Sequence, residues 1–153
     1  RGLYRLATAP PLSNPDLVAV ANRVPDGVIC LLSALSFHEI TTQIPHEIHL
    51  AITRNAEAPR IDHPPVRVSW FSGNAFSEGI AKHQLDGVTV QIYNREKTLA
   101  DCFRYRNKIG MDTVLEAVRL CKERKGIDSE ALMRYAAIRH VQKTMRPYLE
   151  AIL

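Results

Sequence analysis

The chain has 153 residues, of which 46% are hydrophobic and 24% charged, and this composition is typical of one soluble globular domain. Its apolar runs stay well below the roughly 20 residues that a membrane helix needs, so we expect no membrane span. Cys30, Cys102 and Cys121 lie in apolar segments and form no C-x-x-C pair. This spacing favours buried reduced thiols over a disulfide or zinc framework, and it predicts a cytoplasmic protein.

Positive charge is concentrated in the second part of the chain. Residues 1–93 carry seven Lys and Arg against eight Asp and Glu, whereas residues 94–153 carry thirteen against eight. Such an asymmetry is typical of proteins with an anionic partner, either nucleic acid or an acidic protein surface. A solvated helical surface would produce the same pattern, so the charge alone leaves both interpretations open.

The elements predicted before Val66 are short, because eight of the nine prolines precede that residue. Residues 1–6 alternate like a strand. Asn14-Pro15-Asp16 predicts the start of a helix that continues to about Arg23. The next segment, VICLLSALSFH at residues 28–38, has its apolar residues at helical spacing and predicts a second helix.

Four strands are predicted between residues 48 and 93. The segments IHLAIT (48–53) and VRVSWF (66–71) alternate with a period of two. The segment IAKHQLDGVTVQIY (80–93) predicts a hairpin, since Asp86-Gly87 suits a two-residue type I′ turn. That turn pairs three sets of residues on one face, which we expect to be the core face: Leu85 with Val88, His83 with Val90, and Ala81 with Ile92.

From Glu96 onward the apolar period becomes helical and predicts about four helices. The first ends at Gly110 and the second at Gly126, whereas Asp128 caps the third. The last helix has a buried stripe of Val141, Met145, Leu149 and Ile152. Together these elements predict an α+β fold, with a small, mostly antiparallel sheet, helices before it and a C-terminal cluster of about four helices.

The segment FHEITTQIPHEIHLAI, residues 37–52, holds three of the six histidines and raises the question of a metal site. A zinc-protease motif needs two histidines four residues apart on one helical face. His46 and His49 are three residues apart in an alternating segment, so a strand would point them to opposite faces. His38 is expected to be partly buried and bonded to a backbone group. The sequence therefore predicts no metal and no cofactor.

No recognised catalytic template occurs in the chain. It contains no P-loop, no G-x-G-x-x-G after a strand and no G-x-S-x-G motif. A nuclease-like enzyme would need acids such as Asp62, Glu78, Asp86 and Asp101 to converge, and their spacing matches no known pattern. We therefore predict a protein that is not an enzyme and keep a degenerate nuclease-like fold as the alternative.

The helix predicted over residues 95–109 carries the most functional information. One side is apolar, and the other has charged residues at spacings of three or four, so Asp101 is expected to pair with Lys97 or Arg104. Arg106 lies on the apolar side. An arginine in that position more often snorkels or pairs with a buried acid than enters a binding groove.

Five segments spread over the whole chain resemble, in the same order, the AbiEi-type antitoxins, which are predicted transcriptional regulators of type IV toxin–antitoxin systems. The most specific segments are SALSFHEITTQIP (33–45) and KTLADCFRYRNKIG (97–110), and the ending MRPYLEAIL adds to them. One departure is Glu39, which stands where the family pattern has glycine.

This resemblance implies an N-terminal winged-helix DNA-binding domain followed by a C-terminal antitoxin domain. Such proteins repress their own operon and counter a nucleotidyltransferase-type toxin without a stable toxin–antitoxin complex. On this interpretation, residues 1–12 are the remnant of a winged-helix wing with its linker, and residues 13–153 are the antitoxin domain.

The functional hypothesis is an antitoxin and autoregulator domain whose basic helices contact DNA phosphates or an acidic surface. Its predicted partners are operator DNA, bound weakly by this domain alone, the cognate toxin in a functional sense, and a second copy of the chain. A pure dimerisation module, in which the last helix packs against its twin, is a further alternative. The candidate binding residues are Arg95, Lys97, Arg104, Arg106, Lys108, Arg119, Lys122, Arg124 and Lys125.

Overall fold

The structure is a computed structural model that describes residues 14–153, so the predicted wing remnant at residues 1–12 lies outside the described residues. In chain order the described elements are α1 (Asn14–Arg23), β1 (Val28–Ile29), α2 (Leu31–Phe37), β2 (Ile48–Thr53), β3 (Val66–Phe71), α3 (Asn74–Ser77), β4 (Ile80–Leu85), β5 (Val88–Tyr93), α4 (Arg95–Arg104), α5 (Arg106–Ile109), α6 (Met111–Arg124), α7 (Ser129–Ile138) and α8 (Gln142–Ile152).

Five strands form one sheet in the order β3-β2-β1-β5-β4. The α+β class is confirmed, but the sheet is mixed rather than mostly antiparallel, because β2 pairs with β3 and β1 with β5 in parallel. Two parallel strands need a connection that returns the chain from the end of the first strand to the level where that strand began. Residues 54–65 form this connection between β2 and β3. The alternation of each strand indicated its existence but not its direction.

The helix predicted over residues 28–38 begins later in the structure than predicted. Val28 and Ile29 form the short central strand β1, paired with Ala51 and Leu50 of β2, and the helix begins only at Leu31. Both residues are almost fully buried between two neighbouring strands. A short apolar run fits a central strand as well as a buried helix, so the sheet partners decided its conformation.

The hairpin between β4 and β5 is confirmed in its register. Leu85 faces Val88, and the other two predicted pairs are also formed. Asp86 has a φ of 51° and Gly87 a φ of 79°, as a type I′ turn requires at both central positions.

The sheet separates two hydrophobic clusters. On one face, Leu17 and Val20 of α1 pack against residues of β2 and β5, including the predicted core-face residues Val90 and Ile92. On the other face, alternate strand residues such as Tyr93 pack against α2, α4 and the C-terminal helices. None of the helices described over residues 14–153 is both long and apolar enough to cross a membrane.

The C-terminal helices begin and end close to their predicted residues. The side chain of Asp128 accepts a hydrogen bond from the Ala131 backbone N–H at 3.1 Å, as a helix cap. The structure has five helices after the sheet instead of about four, because the helix predicted over residues 95–109 divides at Tyr105 into α4 and α5. Arg106 Nη1 donates to the Phe103 carbonyl at 2.9 Å and satisfies a backbone acceptor at that division.

The hairpin turn offers a test of this backbone geometry. Gly87→Ala should lower the free energy of unfolding by about 1–2 kcal/mol, because an L side chain is strained at positive φ. The new Cβ would meet no atom of residues 14–153 within 4 Å, so the loss would come from the backbone alone. Asp86→Gly is the matched control and should leave stability unchanged or higher, since it removes a side chain from a positive φ. Urea denaturation measures both, and equal losses in the two variants would contradict the assignment.

Candidate nucleic-acid interface

His38 lies at the end of α2 and is half-buried. Its Nε2 donates a hydrogen bond to the backbone carbonyl of Tyr93 at 2.8 Å. The predicted role of this histidine, a bond to a backbone group, is therefore confirmed. The bond joins the end of α2 to the last residue of β5.

The other two histidines of the segment at residues 37–52 lie apart from this bond. His49 is in β2, where only 7% of it is exposed, and its backbone N–H donates to Ser33 Oγ at 2.8 Å. His46 is exposed and precedes β2, which begins at Ile48, so the prediction that one strand holds His46 and His49 on opposite faces is wrong. Within residues 14–153, no three His, Cys, Asp or Glu side chains are grouped so that they could hold a metal ion.

The turn between α2 and β2 is fixed to α6 by an acid that the sequence analysis did not single out. Glu116 accepts hydrogen bonds from the backbone N–H of Thr42 at 2.9 Å and from its hydroxyl at 2.7 Å. These bonds lower the pKa of the Glu116 carboxyl below its ordinary value. Glu39 occupies the glycine-like position of this turn with a φ of 61°. The turn therefore has the left-handed conformation that glycine usually occupies at a helix end, although glutamate stands there.

A buried cluster of three charges lies at the centre of the molecule. Lys97 Nζ is 2.7 Å from Asp101 Oδ2, and Arg139 Nε is 2.8 Å from Asp101 Oδ1. The side chains of Lys97 and Asp101 are 0% exposed, and that of Arg139 is 9% exposed. We call Lys97, Asp101 and Arg139 the buried charge triad.

The triad corrects the prediction that Lys97 and Asp101 lie on the solvent side of their helix. They do pair with each other, as the spacing of four predicts, but α4 is enclosed on nearly every side and residues 96–103 are all buried. A Cβ on Gly79 would lie 2.6 Å from Lys97 Cβ, so the glycine lets the backbone pass directly over the lysine. Burial, partly offset by the Asp101 carboxylate, lowers the pKa of Lys97.

Aromatic rings surround the two cations of the triad. The guanidinium carbon of Arg139 lies 4.6 Å from the Phe71 ring centroid and 5.5 Å from that of Tyr105. Lys97 Nζ lies 3.9 Å from the Tyr93 ring centroid. The negative faces of these rings stabilise positive charge where water is excluded.

The burial of Asp101 also bears on the nuclease-like alternative. Its carboxylate contacts two cations and has no exposed surface, so it is not accessible to a substrate or a metal ion in solution. Asp62, Glu78 and Asp86 are exposed, and Asp86 belongs to the hairpin turn. The structure therefore gives Asp101 a role in packing.

The nine candidate binding residues divide by exposure. Lys97 is buried, and Arg95 and Arg106 are half-buried. Arg106 donates to the Phe103 carbonyl, which is the structural alternative considered for it. The exposed candidates are Arg104, Lys108, Arg119, Lys122, Arg124 and Lys125.

Four of the exposed candidates lie at the C-terminal end of α6. We call Arg119, Lys122, Arg124 and Lys125 the basic end of α6. Arg124 Nη1 donates to the Glu39 carbonyl at 2.8 Å, Lys125 Nζ lies 3.8 Å from Glu39 Oε1, and Lys122 Nζ donates to the Ile152 carbonyl at 2.8 Å. Positive side chains at this end of a helix interact favourably with the helix dipole. Exposed ion pairs contribute little stability, so these cations stay available to an anionic partner.

Arg139 is the residue that the sequence analysis missed. It is one of thirteen cations in residues 94–153 and lies 38 positions after Asp101, its ion-pair partner. Helical spacing relates neighbours three or four positions apart, so it contained no signal for this pair.

No protein-family model matches this chain, and no curated protein matches it. The resemblance to the AbiEi-type antitoxins therefore stays a prediction that rests on the sequence motifs.

The triad predicts a large effect of removing its negative charge. Asp101→Asn should lower the free energy of unfolding by about 3–5 kcal/mol, since two buried cations would lose their counter-charge. Glu123→Gln changes the net charge equally at an exposed position and should alter stability by less than about 0.5 kcal/mol. Urea denaturation at constant salt compares the two, and a loss at Asp101 as small as the control would refute the structural role of the triad.

The buried histidines predict a dependence of stability on pH. Burial lowers the pKa of His38 and of His49 from the ordinary value of 6.5, so below that pH the unfolded chain binds protons that the folded chain does not. The free energy of unfolding should therefore decrease as the pH falls from about 7.5 to about 5. His38→Gln and His49→Gln should each flatten this dependence, whereas His46→Gln, at an exposed position, should not. An unchanged pH profile in the first two variants would contradict the prediction.

Proposed function

We propose that this chain is the antitoxin and transcriptional autoregulator domain of a type IV toxin–antitoxin system. Its functional partner is a nucleotidyltransferase-type toxin. The observation that carries the proposal is the occurrence of the segments 33–45 and 97–110 in the order expected for AbiEi-type antitoxins. The cytoplasm is the proposed compartment, which fits three buried free cysteines.

The packing of the two segments supports this proposal. Helix α2, which lies in the first segment, packs against α4, which lies in the second. The polar residues of the segments are largely occupied by structural bonds: His38 bonds to Tyr93, and Lys97 pairs with Asp101. His38 and Lys97 therefore help to build one shared core, as a regulatory domain needs, while Arg104 and Lys108 of the second segment stay exposed.

The basic end of α6 is the proposed DNA contact, together with Arg104 and Lys108. Arg119, Lys122 and Lys125 follow one another at spacings of three, so they project from neighbouring positions on the helix surface. Contacts of lysine and arginine with phosphates position a protein on DNA without reading its sequence. We therefore expect weak binding by this domain, with base readout supplied by a winged helix.

Antitoxin activity is tested by co-expression in living cells. The full gene should restore growth to cells that express the nucleotidyltransferase-type reading frame beside it, because the domain counters that toxin. An unrelated nucleotidyltransferase-type toxin is the matched control and should remain toxic. If growth fails with the neighbouring toxin while the antitoxin is present at full level, the antitoxin part of the proposal is wrong.

DNA contact is tested by the salt dependence of binding. Each neutralised phosphate contributes about 0.9 to the slope of log K against log salt, so Arg119→Glu should reduce the slope by about 1 on specific and scrambled duplexes alike. Lys82→Glu makes the same charge change at an exposed position on β4 and should have a much smaller effect. The phosphate-contact role fails if the protein has no DNA affinity at low salt or if both variants weaken binding equally.

A further inference from the structure

A cavity of about 450 Å³ lies where the end of α4, the beginning of α3 with Ser72 before it, and the end of α7 come together. Its polar lining consists of two arginines, one histidine, one hydroxyl and one amide, and its other two lining residues are apolar. Among residues 14–153, no acidic residue lines it. The polar lining residues are Arg104, Arg139, His140, Ser72 and Asn74.

The charge balance of the buried charge triad favours an anion in this cavity. Asp101 supplies one negative charge, and its two oxygens are shared between Lys97 and Arg139. An arginine stays protonated at any working pH, so Arg139 keeps its positive charge with only half of a carboxylate as partner. A buried charge that is incompletely compensated is unfavourable, and an anion beside it would offset that cost.

Arg139 also has an unused hydrogen-bond donor. The residue is only 8% exposed, and its Nη2 is buried without a hydrogen-bond partner among residues 14–153. Buried polar atoms in folded proteins are nearly always bonded, and this unpartnered donor belongs to a residue that lines the cavity, which favours an acceptor there.

His140 gives independent support from the backbone. It follows α7 with a φ of 57°, and its N–H donates to Ala137 O at 3.1 Å while Val141 N–H donates to Ala136 O at 2.9 Å. This is a Schellman helix end, whose left-handed position usually holds glycine. A histidine therefore stands at a lining position of the cavity where the backbone would favour glycine.

We propose that this cavity binds a phosphoryl group, with Arg139 and Arg104 supplying charge-assisted hydrogen bonds. Arginines on two different elements, with hydroxyl, amide and imidazole groups around them, suit a tetrahedral anion with several acceptor oxygens. The group belongs either to a nucleic-acid backbone or to free phosphate or a nucleotide, and both present the same oxygens. The inference does not rest on the proposed antitoxin function.

Titration calorimetry and thermal unfolding of the full chain test the proposal with three probes, namely inorganic phosphate, adenosine monophosphate and a short DNA duplex. At constant ionic strength set by chloride, at least one probe should bind at a single site and raise the melting temperature, since a ligand of the folded state stabilises it. Arg104→Gln should weaken that binding about tenfold, as expected for the loss of a charge-assisted hydrogen bond. Arg146→Gln, an exposed arginine outside the cavity lining, is the control of equal charge change and should have no effect.

His140→Gly separates binding from folding. It removes the imidazole and relieves the left-handed backbone, so the melting temperature without ligand should not fall while the affinity does. Binding of phosphate or the nucleotide identifies a free ligand, whereas binding of the duplex alone identifies a backbone phosphate only if His140→Gly weakens it, because the basic end of α6 is also a proposed DNA contact. The proposal is overturned if no probe binds, or if Arg146→Gln weakens binding as much as Arg104→Gln.

Discussion

The carboxylate of Asp101 is the point on which the interior of this protein depends. It binds Lys97 within α4 and Arg139 at the end of α7, and Lys97 Nζ also donates to the Ala75 carbonyl in α3. Arg139 in turn stacks on Phe71 at the end of β3. One negative charge therefore connects three helices and, through Arg139, the sheet. The aromatic rings around both cations offset part of the desolvation free energy of these buried charges.

This interior determines which surfaces are left for function. Because residues 96–103 of α4 are buried, the charged residues among them serve packing, whereas Arg104 is exposed and Arg95 half-buried. The accessible positive charge lies instead at the basic end of α6 and around the cavity beside Arg139. We propose a contact with a polyanion for the first surface and a site for one phosphoryl group for the second, and Arg104 belongs to both proposals. The turn at residues 39–42 contacts α6 through Glu116 and Arg124, so it supports the first of these surfaces.

Local chemistry made much of the fold predictable. The Asp86-Gly87 pair defined the hairpin turn and therefore the register of six residues, and alternation defined β2 and β3. Asp128 marked the beginning of α7, and Gly110 and Gly126 marked helix ends. In each case the deciding interaction joins residues within a few positions of one another or depends only on the conformational range of one residue.

The sequence alone therefore determined the α+β class, the hairpin, the helix ends and the excess of positive charge in the second half. The tertiary structure decided the central strand β1, the parallel pairing of β2 with β3, the burial of Lys97 and the partnership of Asp101 with Arg139. The reason is physical: periodicity reports one apolar face of an element and its nearest neighbours along the chain. Periodicity does not indicate that a helix is enclosed on all sides, or that a charge is neutralised by a residue 38 positions away.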